Sequence, residues 1–475
     1  MAAYEPDDFE DALALAAALR RRELSVLEVL EGTLQRIGER NGDLGAIVWL
    51  SEEDARARAR RAQERLDADD PAPMLGVPLP VKDLHAVEGW PLTYGSWGGP
   101  HAPSTRSSLA VMAIENAGFV LVGKTNTPEL GELPATEGAR LGPARNPWDL
   151  TRTAGGSSGG AASAVAGGMV PIAHGSDGGG SIRIPAACCG LVGLKPTRGR
   201  VPARFAPWFG LSTEGVLTRS VRDQAAVLGT FASVRGETWL ALLGPVDFGT
   251  APQSRGGVLR VGLVTDAPFG LPVDEARANA AREVVAHLAE LGHEVVETAI
   301  ELPEGLVEAV VTLLAAALAE HDDIDWSRVE PHTAADWQRA QSMTAIELVH
   351  ARTTLERAGA ALNARLPGGA DVLVCPTVAI PPPPVGSILA AAHAAAGTGA
   401  PALEVLAMAV FTVPWNVAGV PAISLPTHLD VDGLPIGVRL VGTLGSESTL
   451  LELAGQLEEV FRWPVRRPTT WPRER

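Results

Sequence analysis

The sequence predicts an α/β fold built on a mixed β-sheet, and three observations carry this prediction. Short apolar segments such as residues 74–81 and 119–125 alternate with glycines and with stretches of helical periodicity. Residues 259–266 and 276–300 have the pattern of a strand, a long helix and a second strand. Residues 416–442 again have the pattern of strands joined by turns. No repeat of the solenoid type is present.

The N-terminal part of the chain has a different character. Residues 8–70 carry alanine, leucine, glutamate and arginine at helical spacing, which predicts two or three surface helices. Short apolar segments begin only after Pro71. We therefore expect a helical segment at 1–70 packed on one large domain at 71–475. Residues 304–366 are helical in pattern and are expected to form a cap over the site.

Composition and cysteine usage narrow the class of protein. Lysine and arginine number 39 against 56 aspartate and glutamate, and the net charge of −17 opposes binding to nucleic acid or to anionic membranes. Cys188, Cys189 and Cys375 cannot all pair, so we interpret them as buried thiols in a reducing compartment. Acidic residues precede any apolar run at the start, and the apolar run at 309–319 is too short to span a bilayer. A cytoplasmic protein is expected.

Two familiar motifs occur in contexts that do not suit them. Residues 118–125 match the phosphate-loop pattern G-x-x-x-x-G-K-T, but residues 119–122 are those of an apolar strand, whereas a phosphate cradle needs a flexible loop. Residues 156–160 match G-x-S-x-G with Ser158 as nucleophile, but residues 145–153 upstream are polar and turn-like, not a buried strand. Neither nucleotide binding nor an α/β-hydrolase elbow is favoured.

A third pattern spans residues 153–196 and contains two glycine-rich serine loops. Ser157 lies in the first loop and Ser181 in the second, and a helix-like and a strand-like segment join them. With this pattern the sequence closely resembles the amidase signature family. The resemblance covers most of the chain, and outside the serine loops it is carried by residues 76–89, 119–131, 144–153, 419–426 and 433–442.

The resemblance implies both a fold and a catalytic triad. The implied fold is a large mixed β-sheet flanked by helices on both faces. Ser181 corresponds to the family's nucleophile, Ser157 to its bridging serine and Lys82 to its terminal base. In the family the bridging serine follows a cis peptide, which here is the bond from Gly156 to Ser157. Neither a cofactor nor a metal ion is implied.

Lys82 has the surroundings that this role requires. An amine accepts a proton only when it is neutral, and residues 76–81 before Lys82 are apolar apart from Gly76, so burial would lower the pKa of the lysine. The alternative is a surface lysine paired with Asp83. In the family mechanism Ser157 passes the proton of Ser181 to the lysine and later returns it to the leaving nitrogen.

The second serine loop suits an oxyanion hole. Gly178, Gly179 and Gly180 have no β-carbons, so the backbone up to Ser181 can direct several N–H groups toward one point. Without the family resemblance, these glycines could equally form a flexible turn. The family's common T-D-T-G-G-S is here S-D-G-G-G-S, which predicts a roomier and more mobile loop.

Residues around this loop are assigned supporting roles. Asp177 and Arg183 flank the loop with opposite charges and are expected to pair. His85 and His174 lie close to the catalytic segments, but no metal-binding spacing such as H-E-x-x-H is present, so roles in the core or beside the site are favoured. Adjacent cysteines at 188–189 are interpreted as small core residues.

The substrate is less well determined. By family position, Gly131 and Glu132 are expected near the acyl side of the nucleophile, and residues 204–210 with Trp208 are expected to supply an aromatic wall. Packing is the alternative role for Trp208 and for Trp415. The amino-acid sequence resembles those of family members active on aminohexanoate oligomers, anilides and carbamates.

Two enzyme classes remain open on this evidence. The favoured function is hydrolysis of a C–N bond in a small amide or carbamate through an acyl-enzyme on Ser181, by a monomer or homodimer. The alternative is the A subunit of a tRNA-dependent glutamine amidotransferase, which shares the triad and works within a multisubunit complex. A binding protein without catalysis is disfavoured, because all three triad residues are present.

Overall fold

The computed structural model describes residues 11–100, 102–205, 207–232, 257–468 and 470–471. Residues 1–10 of the predicted helical segment and Ala206 of the predicted aromatic wall lie outside this description. The strands are β1 Ile47–Leu50, β2 Pro78–Lys82, β3 Val120–Thr125, β4 Arg145–Asn146, β5 Asp149–Thr153, β6 Ile172–Asp177, β7 Val192–Lys195, β8 Thr213–Thr218, β9 Arg260–Leu263, β10 Glu294–Glu297, β11 Val372–Pro376, β12 Ala422–Leu429 and β13 Pro435–Gly442.

An eight-stranded mixed sheet forms the centre of the molecule. Its strand order is β10-β9-β11-β13-β12-β7-β8-β6. Strand β9 pairs in parallel with β10 and β11, whereas the other neighbours pair antiparallel. A three-stranded sheet, β1-β3-β2, adjoins it, and β2 lies against the edge strand β6. The end of β2 is thereby brought to the segment that follows β6.

The helices are α1 Ala12–Arg20, α2 Val26–Leu44, α3 Glu52–Asp67, α4 Leu109–Asn116, α5 Gly159–Ala166, α6 Arg183–Cys189, α7 Pro207–Gly210, α8 Val221–Ala232, α9 Glu275–Glu290, α10 Leu306–Ala317, α11 Pro331–Ser342, α12 Ala345–Ala364, α13 Ser387–Ala395, α14 Leu403–Ala409, α15 Val413–Ala418 and α16 Glu447–Phe461. Helix α7 is a single turn whose two central residues have left-handed backbone angles. None of the helices in the described ranges is long and apolar enough to cross a membrane.

Helices cover both faces of the main sheet. Every residue of β11 and of β13 is buried, and successive side chains of a strand point to opposite faces, so both faces must be packed. Helices α6, α9 and α16 supply much of this packing on β12 and β13. The predicted mixed sheet with helices on both faces is confirmed.

Two short β elements were missed by the sequence pattern. Strand β1 has four residues between two helices and pairs antiparallel with β3, where Ile47 lies opposite Thr125. Residues 145–153, expected to be turn-like, form the antiparallel pair β4–β5. Both elements are too short for a two-residue period to stand out in the sequence.

The N-terminal helices share the central core with the sheet. Leu15, Leu30 and Leu66, one from each of α1, α2 and α3, belong to the same buried cluster as residues of β7 and β13. Helices α10 and α12 pack on each other and around a separate cluster. The division of the chain at residue 70 and the cap at 304–366 stay predictions.

One close backbone contact fixes helix α5 against β3. A β-carbon on Gly160 would lie 2.3 Å from the backbone N and 2.6 Å from the backbone O of Asn126, and 2.7 Å from the backbone O of Ala46. Backbone atoms in a packed core cannot move aside easily. We expect Gly160→Ala to lower the free energy of unfolding by about 2 kcal/mol or more, measured by denaturant unfolding.

The matched control is Gly38→Ala in helix α2. A β-carbon there meets nothing within 4 Å. Because alanine is the better helix former, this change should be neutral or stabilise by up to about 1 kcal/mol. Equal stability of the two variants would contradict the close packing of α5.

Candidate active site

Lys82 ends strand β2 with a fully buried side chain. Its Nζ donates a hydrogen bond of 2.7 Å to Ser157 Oγ and one of 3.3 Å to Ser176 Oγ. The alternative of a surface lysine paired with Asp83 is therefore wrong. Asp83 instead lies 3.3 Å from the ammonium of Lys124, which belongs to the rejected phosphate-loop motif.

The surroundings of Lys82 favour the neutral amine. Burial lowers the pKa of Lys82 to about 7, and the negative charges of Glu214 and Asp177 keep it from falling further. At a pKa near 7, a substantial fraction of the amine is unprotonated at neutral pH. The predicted burial of this lysine is confirmed, and its amine can accept a proton from Ser157.

The first serine loop is held from both sides. The peptide bond from Gly156 to Ser157 is cis, as the resemblance predicts. Ser158 is fully buried: its Oγ contacts the backbone N and O of Ser176 at 3.3 Å each, and its N–H donates to the carbonyl of Ser181 at 3.1 Å. Ser158 therefore connects the two loops and is not exposed as an elbow nucleophile would be.

The second serine loop is organised around a buried carboxylate. Asp177 forms two side-chain hydrogen bonds of 2.8 Å with the guanidinium of Arg183, so the predicted pair is confirmed. Asp177 also accepts from the backbone N–H groups of Gly180 and Ile182. Although burial alone would raise it, Arg183 holds the pKa of Asp177 well below its usual range. The carboxylate stays charged and fixes the turn that carries Ser181.

The helix α15 region holds the other side of this turn. Asn416 Nδ2 donates to the backbone O and to Oδ1 of Asp177, and Asn416 Oδ1 accepts from Arg183. Thr412 Oγ1 donates to the carbonyl of Gly179 at 2.6 Å. A chain segment more than 200 residues away therefore locks the loop.

These contacts correct the expectation of a roomy loop. A β-carbon on Gly178 would lie 2.8 Å from the ring of Trp208, and one on Gly180 would lie 2.4 Å from Thr412 Oγ1. Glycine is needed at these two positions because other side chains fill the adjacent space. Since the N–H of Gly180 is engaged by Asp177, we leave Gly180 out of the candidate oxyanion donors. The N–H groups of Gly178, Gly179 and Ser181 have no protein acceptor within the described part of the chain.

Two cavities meet at Ser181. The larger, of about 810 Å³, is lined by ionisable side chains that include Arg106, Glu214 and Glu320. The smaller, of about 150 Å³, is almost entirely apolar. Ser181 and Trp208 line both cavities. A substrate at Ser181 can therefore place one part in a polar and another in an apolar environment.

The predicted substrate-binding residues lie at this junction. Gly131 and Glu132 line the apolar cavity, and a β-carbon on Gly131 would lie 3.4 Å from Ser157 Oγ. Trp208 forms part of the wall, whereas Trp415 is fully buried in the core. Their roles in binding stay predictions.

A histidine–carboxylate cluster lies behind the triad. Nε2 of His174 is 3.2 Å and Nε2 of His85 is 3.4 Å from the same Glu214 oxygen. Burial lowers the pKa of His85 to about 3. Although burial acts in the opposite direction, the two imidazoles and Lys82 lower the pKa of Glu214. The three side chains are close enough to hold a metal ion, as are Glu330, His332 and His393.

Sequence reasoning missed Ser176 and Glu214 as neighbours of Lys82. The sequence did contain a signal for Ser176. His174 and Ser176 are two residues apart, and alternate residues of a strand such as β6 lie on the same face. Strand β8 pairs with β6 so that Glu214 lies opposite Ser176. That pairing joins segments almost 40 residues apart and could not be deduced from either segment alone.

The cysteines are core residues, as predicted. Cys188, Cys189 and Cys375 are free and buried. Burial raises the pKa of the Cys188 thiol to about 12 and that of Cys189 well above its ordinary value. Thiols in this state are poor nucleophiles.

Comparison with known proteins identifies the family of the chain. The family model described as Amidase matches residues 28–451. A 6-aminohexanoate-cyclic-dimer hydrolase of a Pseudomonas strain is 36% identical over 500 residues, with 97% of each chain covered. The enzyme of the same name from Paenarthrobacter ureafaciens is 37% identical over 500 residues, again with 97% of each chain covered.

Solved structures show the same relationship. A 6-aminohexanoate cyclic dimer hydrolase complexed with substrate has a TM-score of 0.87 at 35% identity, covering 97% of this chain and 99% of that one. A bacterial aryl acylamidase has a TM-score of 0.83 at 27% identity, covering 96% and 99%. The chain therefore belongs to the amidase family and hydrolyses the carbon–nitrogen bonds of amides.

Proposed function

We propose that the protein cleaves its substrate through an acyl-enzyme on Ser181, with Ser157 and Lys82 as the proton relay. The observation that carries this proposal is the 2.7 Å hydrogen bond from Lys82 Nζ to Ser157 Oγ at a buried position beside Ser181. A lysine with a pKa of about 7 is matched to a proton transfer near neutral pH.

The relay works in two directions. In acylation, Ser181 Oγ attacks the carbonyl carbon while its proton passes to Ser157 Oγ, and the Ser157 proton passes to neutral Lys82. When the tetrahedral intermediate collapses, the C–N bond breaks and the proton returns through Ser157 to the leaving nitrogen. Water then attacks the ester on Ser181, and its proton passes through Ser157 to Lys82 as in acylation. The proton then returns through Ser157 to Ser181 Oγ as the ester bond breaks, which releases the acid and restores the serine.

The negative charge of the tetrahedral intermediate needs hydrogen-bond donors. The N–H groups of Gly178, Gly179 and Ser181 are the candidates, because they lie in the loop that the Asp177–Arg183 pair fixes. Donors fixed before the reaction need no rearrangement when the charge forms, and each is worth about 3 kcal/mol in the transition state.

The substrate we propose is a small aryl or aliphatic amide, a nylon-type oligomer or a carbamate. The meeting of a polar and an apolar cavity at Ser181 suits a substrate with an apolar chain or ring next to the reacting carbonyl. Relatives named as 6-aminohexanoate-cyclic-dimer hydrolases and an aryl acylamidase support the amide classes. Carbamate cleavage uses the same acyl transfer.

We propose that the enzyme works alone, as a monomer or homodimer in the cytosol, rather than as an amidotransferase subunit. A relative named as a 6-aminohexanoate-cyclic-dimer hydrolase, with 97% of each chain covered, supports this choice. Three buried, unpaired cysteines suit a reducing compartment. Hydrolysis of an anilide by the purified chain supports the proposal, whereas glutaminase activity confined to a copurifying complex would contradict it.

The roles of the serines can be separated by substitution. We expect Ser181→Ala to lower kcat by about ten-thousandfold or more, because no acyl ester can form, and Lys82→Ala to lower it by about a thousandfold through loss of the proton acceptor. Ser158→Ala, the control for the rejected elbow motif, should retain measurable turnover. The measurement is release of p-nitroaniline from an acyl anilide, and full activity of Lys82→Ala would refute the mechanism.

The pH dependence reports on the lysine. Burial lowers the pKa of Lys82 to about 7, so the active neutral amine is gained as the pH rises through that value. We expect kcat/KM to rise roughly tenfold per pH unit below about pH 7 and to level off above about pH 8. A profile that is flat from pH 6 to 10 would show that another group accepts the proton.

A further inference from the structure

A second cluster of histidine and carboxylate side chains lies outside the two cavities that meet at Ser181. Glu330 and His332 are at the N-terminal end of α11, and His393 is on α13. Each offers one ligand atom within 4.8 Å of the others, and Nε2 of His393 is 3.2 Å from Oε2 of Glu330. Ligand atoms around a tetrahedral metal ion are about 3.3 Å apart, so small side-chain rotations can bring these three onto one ion.

Contacts behind the cluster fix the orientation of its carboxylate. Glu330 is buried, and its Oε1 accepts from the backbone N–H of Ala139 at 2.9 Å. The backbone N–H of Glu330 donates to Glu129 at 2.7 Å. Contacts of this kind hold a metal ligand in place before the ion arrives. Oε2 of Glu330 is thereby left on the side of His393.

His332 adds a buried nitrogen that has no partner. Its side chain is 8% exposed, and Nδ1 has no hydrogen-bond partner in the described part of the chain. Leaving a buried polar atom unsatisfied costs free energy, and each such atom needs an explanation. Binding of an ion by this imidazole would supply one.

Several carboxyl groups surround the cluster and favour a cation. Burial, together with the negative charges of Asp336, Glu129 and Glu330, raises the pKa of Glu132 to about 8. Arg339 on α11 donates its hydrogen bonds to other groups and to none of these carboxyl groups in the described part of the chain. Carboxyl groups collected in a poorly solvated region repel one another. A bound cation would relieve this repulsion.

We propose that Glu330, His332 and His393 bind a Zn²⁺ ion. Two imidazole nitrogens and one carboxylate oxygen are ligands that Zn²⁺ prefers, whereas Mg²⁺ and Ca²⁺ prefer oxygen ligands throughout. His332 lines a cavity of about 690 Å³, and a water molecule from this cavity completes the four-coordinate site. The cavity is also the path by which the ion enters. This inference goes beyond the proposed function and does not depend on the catalytic mechanism.

The role of the ion is to stabilise the packing around α11. The ligands join α11 to α13, and Glu330 is also bonded to Glu129. Two residues after Glu129, a β-carbon on Gly131 would lie 3.4 Å from Ser157 Oγ. The ion would therefore strengthen a group of contacts that extends to the first serine loop. Because it binds the folded chain, it raises the stability of the protein.

The test measures Zn²⁺ binding by the full chain after any polyhistidine tag has been removed, because such a tag binds the ion itself. The protein is first treated with a chelator and dialysed. Zn²⁺ at about a hundred times its Kd should then raise the Tm of wild type by about 3 °C. Competition with a chromophoric chelator gives the Kd. Mg²⁺ at the same concentration should leave the Tm unchanged, because two of the ligands are nitrogens.

Two histidine substitutions locate the ion. His393→Gln removes one ligand from a side chain that is 32% exposed, so the fold should tolerate the change. It should weaken Zn²⁺ binding at least about a hundredfold, since loss of a contact behind a ligand can already cost that much. The matched control is His85→Gln, in the cluster with His174 and Glu214. This variant should keep the wild-type Kd for Zn²⁺.

Three results would overturn the proposal. Wild type that neither gains Tm with Zn²⁺ nor competes with the chelator would do so without reference to any variant. An unchanged Kd in His393→Gln would mean that the ion binds elsewhere. Loss of binding in His85→Gln would place the ion in the cluster near Lys82 instead. Because none of these measurements uses enzymatic activity, their failure is distinct from a failure of the acyl-enzyme mechanism.

Discussion

The proposed proton relay depends on one lysine that loses its charge near neutral pH. An ammonium group in the interior is unfavourable, and burial at the end of β2 lowers the pKa of Lys82 to about 7. Two hydroxyl groups, of Ser157 and Ser176, are the partners of its nitrogen. A carboxylate in direct contact would have raised the pKa of Lys82 and kept its amine charged. Glu214 and Asp177 act only from a distance, which leaves the amine close to half protonated at neutral pH.

Burial alone does not distinguish Lys82 from the two other lysines of this chain. The sequence contains only Lys82, Lys124 and Lys195, and all three are buried. Lys124 lies beside the carboxylate of Asp83, and Lys195 donates to the carbonyl of Pro196 although its pKa is also lowered to about 7. The distinguishing feature of Lys82 is its contact with serine hydroxyl groups, one of which adjoins the second serine loop.

Much of the fold, and the burial of Lys82, could be predicted from the sequence, because their signals lie in short windows. The strand–helix–strand pattern at 259–300, the apolar residues before Lys82 and the glycines around both serines are visible in short windows. The resemblance to the amidase signature family then assigned roles to these residues. The mixed sheet, the buried lysine and the Asp177–Arg183 pair agree with the structure.

The parts that could not be predicted depend on contacts between distant segments. The loop around Gly178 was expected to be roomy, but the ring of Trp208 occupies the adjacent space. Glu214 reaches the site through the pairing of β8 with β6. No short stretch of sequence indicates which distant residues will lie next to it in the fold.

We propose that Ser181, and neither of the other loop serines, attacks the substrate carbonyl. The most direct measurement is treatment with a fluorophosphonate, followed by peptide mass mapping of the modified residue. We expect a single covalent adduct on Ser181 that is absent from Ser181→Ala. An adduct on Ser157 or Ser158, or undiminished labelling of the Ser181→Ala variant, would contradict it.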